Sequence, residues 1–172
     1  MKQGESIYDA SLYSAEQVKE SLVKFLKIAG YEIIKKTIGF NTPDIYAERE
    51  NHQIVISVKE RILDAVEGCR DLAAIKCFLG EKKDYVVALP PVSETEVLEF
   101  LVEKTEWYFP MSEQAMMFWL VNPDRMEVHP ILGYPYDEIF LKYLTNPEAA
   151  NLVTHYVSGK ISQKMIDEDD LF

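Results

Sequence analysis

The sequence predicts an α/β fold, a central mixed β-sheet flanked by helices on its two faces. Three observations predict it. Short β-rich runs alternate with stretches of helical periodicity along most of the 172 residues. Two of the runs, Asp44–Arg49 and Gln53–Lys59, are joined by the short polar turn Glu50-Asn51-His52 and so should pair antiparallel. The overall order is helix, three strands, helix, strand, helix, two strands, then helices, an order that builds helices onto a sheet rather than a sheet onto a sheet.

Residues 1–13 lack periodicity and read as an arm, with Tyr8, Leu12 and Tyr13 available to pin it. Ser14 is an N-cap, with Glu16 in the first turn. Val18, Leu22, Phe25, Leu26 and Ala29 then recur at helical spacing, and Gly30 is the stop signal. Tyr31–Thr37 is a β-rich run ended by Gly39.

In the second strand Asp44, Tyr46 and Glu48 share a face, and in the third Ser57 and Lys59 do, because side chains alternate across a strand. A helix follows over Leu63–Leu79, with Leu63, Val66, Ala73, Ala74, Cys77 and Phe78 forming much of its apolar side and Gly80 past its end. Asp84–Leu89 is a compact apolar strand closed by Pro90-Pro91. Ser93 and Glu96 form a capping box for a helix to about Lys104, with Val97, Phe100 and Leu101 inward.

Met116–Val121 (MMFWLV) is a buried strand, and Asn122-Pro123-Asp124 turns the chain back into a partner over Met126–Ile131. Helical segments at Tyr136–Leu144 and Pro147–Ser158 close one domain spanning 14–160. The last stretch, 161–172, is an acidic tail too charged to pack.

Composition narrows the function. No apolar run approaches the ~18 residues that cross a membrane, and the N-terminus has no signal-peptide segment. A cytoplasmic protein is expected. Cys69 and Cys77 fall in one helical pattern, so neither a disulfide framework nor a zinc site is implied, and with Met116 and Met117 they read as core. His52, His129 and His155 have no ligand spacing.

Net charge is −11, unevenly spread. Residues 1–80 carry 11 Lys/Arg against 12 Asp/Glu, and residues 81–172 carry 7 against 17. The second half is therefore excluded as a main phosphate-binding surface, whereas the first half has the cations for a local basic face. Trp107-Tyr108-Phe109 reads as a packed or partner-facing aromatic cluster rather than a base-stacking one.

Phosphodiester hydrolysis needs a divalent cation, an activated water and positive charge near the phosphate. A minimal site has an Asp on one strand, a second acid on its neighbour, and a Lys two residues further on the same face. Pro43-Asp44 and Ser57-Val58-Lys59 stand at those places, except that the second acid is a serine. In these residues and in element order from Ser14 to Leu89, the chain resembles the PD-(D/E)xK superfamily of restriction-endonuclease-like nucleases. The residues after Tyr134 have no counterpart in that pattern.

The resemblance implies a restriction-endonuclease-like sandwich and a nuclease acting on DNA with Mg²⁺ or Mn²⁺. It implies Asp44 as a metal ligand and Lys59 as the residue orienting water or phosphate. In some restriction enzymes of the superfamily a serine holds the position of Ser57 and the following helix supplies the acid. That makes Glu67 the replacement metal ligand, with Asp71 behind it and Glu60 less suited because it should point to the other strand face. Members also often supply a glutamate from the first helix, which here is Glu20, with Glu16 behind it. Ser57 then contributes at most a water-mediated contact.

The rival expectation is an inactive nuclease-fold module that makes protein contacts in a DNA-processing or defence complex. The end of the tail, Asp167 to Phe172, is similar to the C-terminal tips of bacterial and phage single-stranded-DNA-binding proteins, which dock on partners through charge steering and an apolar anchor. The apolar MMFWLV hairpin is expected either as a homodimer interface or as the core of the sheet.

Overall fold

The computed structural model describes residues 13–80, 82–91, 94–103, 116–133, 138–148, 159–160 and 162–163. The first helix, α1 (Ala15–Ile28), starts where its cap requires. The Ser14 hydroxyl accepts from the Gln17 N–H at 3.2 Å, and the Gln17 side chain accepts from the Ser14 N–H at 2.8 Å. This reciprocal box is worth about 1 kcal/mol.

The helix stops at Gly30, whose φ of 90° is strained for any residue with a Cβ. Gly30 N–H donates to Lys27 O at 3.0 Å and Tyr31 N–H to Leu26 O at 2.8 Å, a Schellman closure. That closure turns Tyr31 straight into the core, where it is 4% exposed.

Six strands form one sheet in chain order: β1 (Glu32–Ile33), β2 (Ile45–Arg49), β3 (His52–Val58), β4 (Asp84–Leu89), β5 (Met116–Asn122) and β6 (Glu127–Leu132). The pairs β1·β2, β2·β3 and β5·β6 are antiparallel, and β3·β4 and β4·β5 are parallel. The sheet is mixed, as expected, because the two hairpins bracket two helical crossovers. These are α2 (Ala65–Leu79), entered through a 3₁₀ turn at Ile62–Asp64, and α3 (Glu94–Glu103).

Apolar residues from both crossovers, Cys69, Leu72, Ile75 and Phe100, pack with Tyr46, Val55, Tyr85 and Val87 on one face of the sheet. On the other face Leu22, Phe25 and Leu26 of α1, with Phe140 of the short helix α4 (Glu138–Leu141), pack on Ile45, Ile54, Ile56, Val86 and Trp119. The fold is an α/β sandwich of helix, sheet and helix. Every residue of β4 is buried, which is why that strand reads as a continuous apolar run.

Several boundaries differ from expectation. Tyr31–Thr37 forms a strand only at Glu32–Ile33, and residues 38–41 fold instead into a tight turn closed by an Ile38–Asn41 bridge. Helix α2 presents a different face from the one expected. Its buried stripe is Ala65, Gly68, Cys69, Leu72 and Ile75, while Leu63, Cys77 and Phe78 are exposed and Val66, Ala73 and Ala74 only partly covered. Cys77 is therefore not a core residue, unlike Cys69, Met116 and Met117.

Of the arm, Tyr13 donates its hydroxyl to Asp124 at 2.5 Å. The rest of the arm, the Ser93 cap, residues 104–115 and 149–158, and the acidic end at 164–172 lie outside the described residues. Among the described residues no helix is long and apolar enough to cross a membrane.

Candidate functional site

Asp44 stands just before β2, one position beyond the last β2·β3 pair, Ile45 with Ile56. Its Oδ2 accepts the Val58 N–H at 2.7 Å, so the carboxylate takes over where the main-chain ladder stops. Asp44 is exposed, and among the described residues its other oxygen accepts no hydrogen bond. Lys59, the residue that follows β3, is fixed by its own N–H to Ala88 O at 2.9 Å. Asp44 and Lys59 are thus tied to neighbouring peptide units at the end of the β2·β3 hairpin.

The Lys59 side chain turns onto the α2 face. Its ammonium lies 3.6 Å from Glu67 Oε1 and 3.6 Å from Asp71 Oδ2, which are successive turns of one helix face. The side chain is 18% exposed, against 68% for Glu67 and 44% for Asp71. Lys59 therefore lays its aliphatic stem against the helix and keeps its charged end at the surface.

Ser57 shares that face and is 4% exposed. A Cβ built on Gly68 would stand 3.3 Å from Ser57 Oγ, 3.4 Å from Lys59 Cγ and 3.4 Å from Val87 Cγ1. Gly68 is the residue that lets α2 run this close to β3, and the closeness sets Glu67, its neighbour, beside Lys59. Sequence reasoning passed over Gly68. A glycine inside a helical pattern was the available signal.

The sequence-derived residues divide cleanly. Asp44, Ser57, Lys59, Glu67 and Asp71 gather at one end of β3. Glu20 does not join them. It is exposed on α1, which covers the opposite face of the sheet through Val18, Ser21, Leu22, Phe25 and Leu26. Glu16 and Glu60 are also exposed.

Among the described residues no three His, Cys, Asp or Glu side chains converge as a metal-ligand group. The donors at hand are carboxylate oxygens, with one Asp44 oxygen already engaged. Such a set fits a hard cation held by one or two carboxylates and completed by water, not an all-protein cage.

A second polar constellation lies on the α1 face at the start of β3. His52 Nε2 is 2.5 Å from Asp84 Oδ2, and His52 Nδ1 meets the Tyr31 hydroxyl. With the carboxylate as acceptor, Nε2 is the donor of the His52–Asp84 contact. Asp84 is 1% exposed, and the relay joins the end of α1 to the starts of β3 and β4. The three residues are far apart in sequence, beyond the reach of any spacing rule.

Beside the first site, α1 and the β1 edge enclose an open cleft of about 820 Å³ that runs to Pro43 and Asp44.

The sequence matches no protein-family profile and no curated protein. Among solved structures, the chain is similar to an XisH family protein from Nostoc punctiforme, at 17% identity and a TM-score of 0.47, over 65% of this chain and 95% of that one. It is also similar to an fdxN element excision controlling factor protein from Anabaena variabilis, at 14% identity and a TM-score of 0.46, over 66% of this chain and 95% of that one.

Proposed function

We propose that this chain is a metal-dependent, nuclease-like protein of the PD-(D/E)xK type acting on DNA phosphodiester bonds, with α2 supplying the acid that Ser57 cannot. The observation that carries the reading is the Lys59 ammonium held 3.6 Å from both Glu67 and Asp71 at the strand end where Asp44 stands. In this reading Asp44 and Glu67 hold Mg²⁺ or Mn²⁺. When bound, such a cation lowers the pKa of a water and neutralises charge on the phosphate.

The chain's own residues do the remaining work. The Val58 N–H holds the Asp44 carboxylate through one oxygen, leaving the second without a hydrogen bond among the described residues. Glu67 and Asp71 hold the Lys59 ammonium in place at the surface, with two of its three donors facing them and the third left for an attacking water or a phosphate oxygen. Ser57, packed against Gly68, reaches this chemistry only through a water. Glu20, on the far side of the sheet, has no part in it.

One observation favours a second reading, an inactive module that makes protein contacts. The two acids nearest Lys59 are already paired with it, and the position between Asp44 and Lys59 is neutral. Cleavage of single- and double-stranded DNA in Mg²⁺ or Mn²⁺, with and without chelator, separates the two. The nuclease reading expects cleavage that chelator abolishes and that Lys59→Ala lacks. Equal cleavage by both proteins, or none by either, removes it.

A further inference from the structure

We propose that the cleft between α1 and the β1 edge holds the backbone of a single nucleic-acid strand, with an unpaired base stacked on Phe40. The inference rests on the nuclease reading for what happens where the strand meets Asp44.

The cleft is cationic in an acidic protein. The protein carries −11, yet this one cleft collects Lys19, Lys27, Lys35 and Lys36 against only Glu32 and Asp44. Among the described residues none of these four ammonium groups is in an ion pair or hydrogen bond, in contrast to that of Lys59. Two lysines come from α1 and two from the segment after β1, so the fold converges them from separate elements. Four neighbouring ammonium groups repel one another in an acidic protein, and a polyanion relieves that repulsion by releasing its own counterions.

Phe40 stands beside the cleft. Its side chain is 100% exposed. It does not hang on a loose loop. Ile38 N–H donates to Asn41 O at 2.7 Å and Asn41 N–H to Ile38 O at 3.0 Å, and the Thr37 and Thr42 hydroxyls meet at 3.0 Å. Gly39, at φ 61°, lies so close to the Phe78 ring that a Cβ there would stand 2.4 Å from it. The turn is thus held on both sides with an aromatic face presented to solvent. Thr42 and Pro43, two and three residues on, line the cleft. A cationic groove beside a fixed, open aromatic ring is the arrangement that binds single strands, where bases are free to stack. In a duplex the bases are occupied by each other.

Asp44 is common to the cleft wall and the Lys59 site. A phosphate travelling along the lysines therefore arrives at the carboxylate that the proposed reaction uses.

The test is fluorescence anisotropy of the full chain with a labelled oligothymidylate and with a labelled duplex, in chelator so that nothing is cut. Wild type should bind the single strand more tightly, with log affinity falling against log salt at a slope of roughly −3, four phosphate contacts at about −0.7 each. Lys27→Glu with Lys35→Glu should weaken binding about tenfold or more and flatten the slope. Phe40→Ala should weaken single-strand binding about tenfold and leave the slope unchanged. Circular dichroism checks that both variants fold, which their exposed positions favour.

No binding by wild type, affinities unchanged in both variants, or a preference for duplex would overturn the inference. Cleavage in Mg²⁺ is read separately. If cleavage requires Lys59 while the lysine variants bind like wild type, the cleft proposal falls and the nuclease reading stands. Lysine-dependent binding without any cleavage gives the reverse.

Discussion

Glu67 Oε1 lies 3.6 Å from Lys59 Nζ, across the seam where α2 passes the end of β3. The pair is largely open on the Glu67 side, which is 68% exposed, so solvent screens it and it contributes only about 0–1 kcal/mol to stability. Glu67→Gln should therefore leave the urea midpoint nearly unchanged. In the proposed reaction the same carboxylate is a cation ligand and an anchor for Lys59. Cleavage should fall ~100-fold or more, the scale on which removing one charge-stabilising group acts. Full activity in Glu67→Gln removes α2 as the source of the missing acid.

Asp44 has a structural duty that can be separated from its chemical one. Its Oδ2 satisfies the Val58 N–H at 2.7 Å. Asp44→Asn keeps an acceptor there, whereas Asp44→Ala strands the donor at a cost of about 1–3 kcal/mol. Denaturant melts should rank wild type and Asp44→Asn close together, with Asp44→Ala below both. Both variants should be inactive. Equal melts for the two variants would show that this hydrogen bond contributes nothing in solution.

Gly68 should be intolerant of bulk. An added Cβ already meets Ser57, Lys59 and Val87 at 3.3–3.4 Å. Gly68→Ala trades that crowding against better helix propensity, up to about 1 kcal/mol, and the two nearly offset. Gly68→Val adds branches with nowhere to go, and should lose about 1–3 kcal/mol by thermal or urea melting as α2 is forced off β3. A Gly68→Val variant as stable as wild type would contradict the close approach on which the Glu67–Lys59 geometry depends.

Gly68 also shows where the sequence was readable and where it was not. Ser14 and Gly30 were legible because caps act through local hydrogen bonds and a local backbone angle. The β2·β3 hairpin and the placing of Asp44 and Lys59 at its end were legible because alternation and a short polar turn leave one register. The face of α2 was not. Leu63 and Phe78 are large and apolar and drew the stripe toward themselves, yet both are solvent-exposed at the ends of the segment.

The true stripe of α2 includes Ala65, Gly68 and Cys69, small residues that pack by proximity and carry little hydropathy. The placing of Glu20 was out of reach for a related reason. Helical spacing shows which residues share a side of α1, not which face of the sheet α1 will cover. The Tyr31–His52–Asp84 relay was invisible because only the tertiary fold assembles it.

The two cysteines should differ in reactivity. Burial alone pushes the Cys69 thiol from its ordinary 9.0 up to about 12, whereas Cys77 is exposed. A thiol reagent at mildly alkaline pH should modify one cysteine in the native protein, Cys77, and the second only on unfolding. The unfolded chain releases the Cys69 proton near pH 9 and the folded chain retains it to about 12. The raised folded value therefore leaves stability intact below pH 9 and erodes it between 9 and 12, by up to about 1.4 kcal/mol per pH unit for one proton. Cys69→Ala should flatten that alkaline limb. Rapid modification of both thiols in the native state would place Cys69 outside the core.

The most direct measurement is the rate of Mg²⁺- or Mn²⁺-dependent DNA cleavage by wild type beside Lys59→Ala, with circular dichroism confirming that the variant is folded. Chelator-sensitive cleavage by wild type and a loss of ~100-fold or more in Lys59→Ala are expected. Indistinguishable rates for the two proteins, or no cleavage by either, would contradict the nuclease reading.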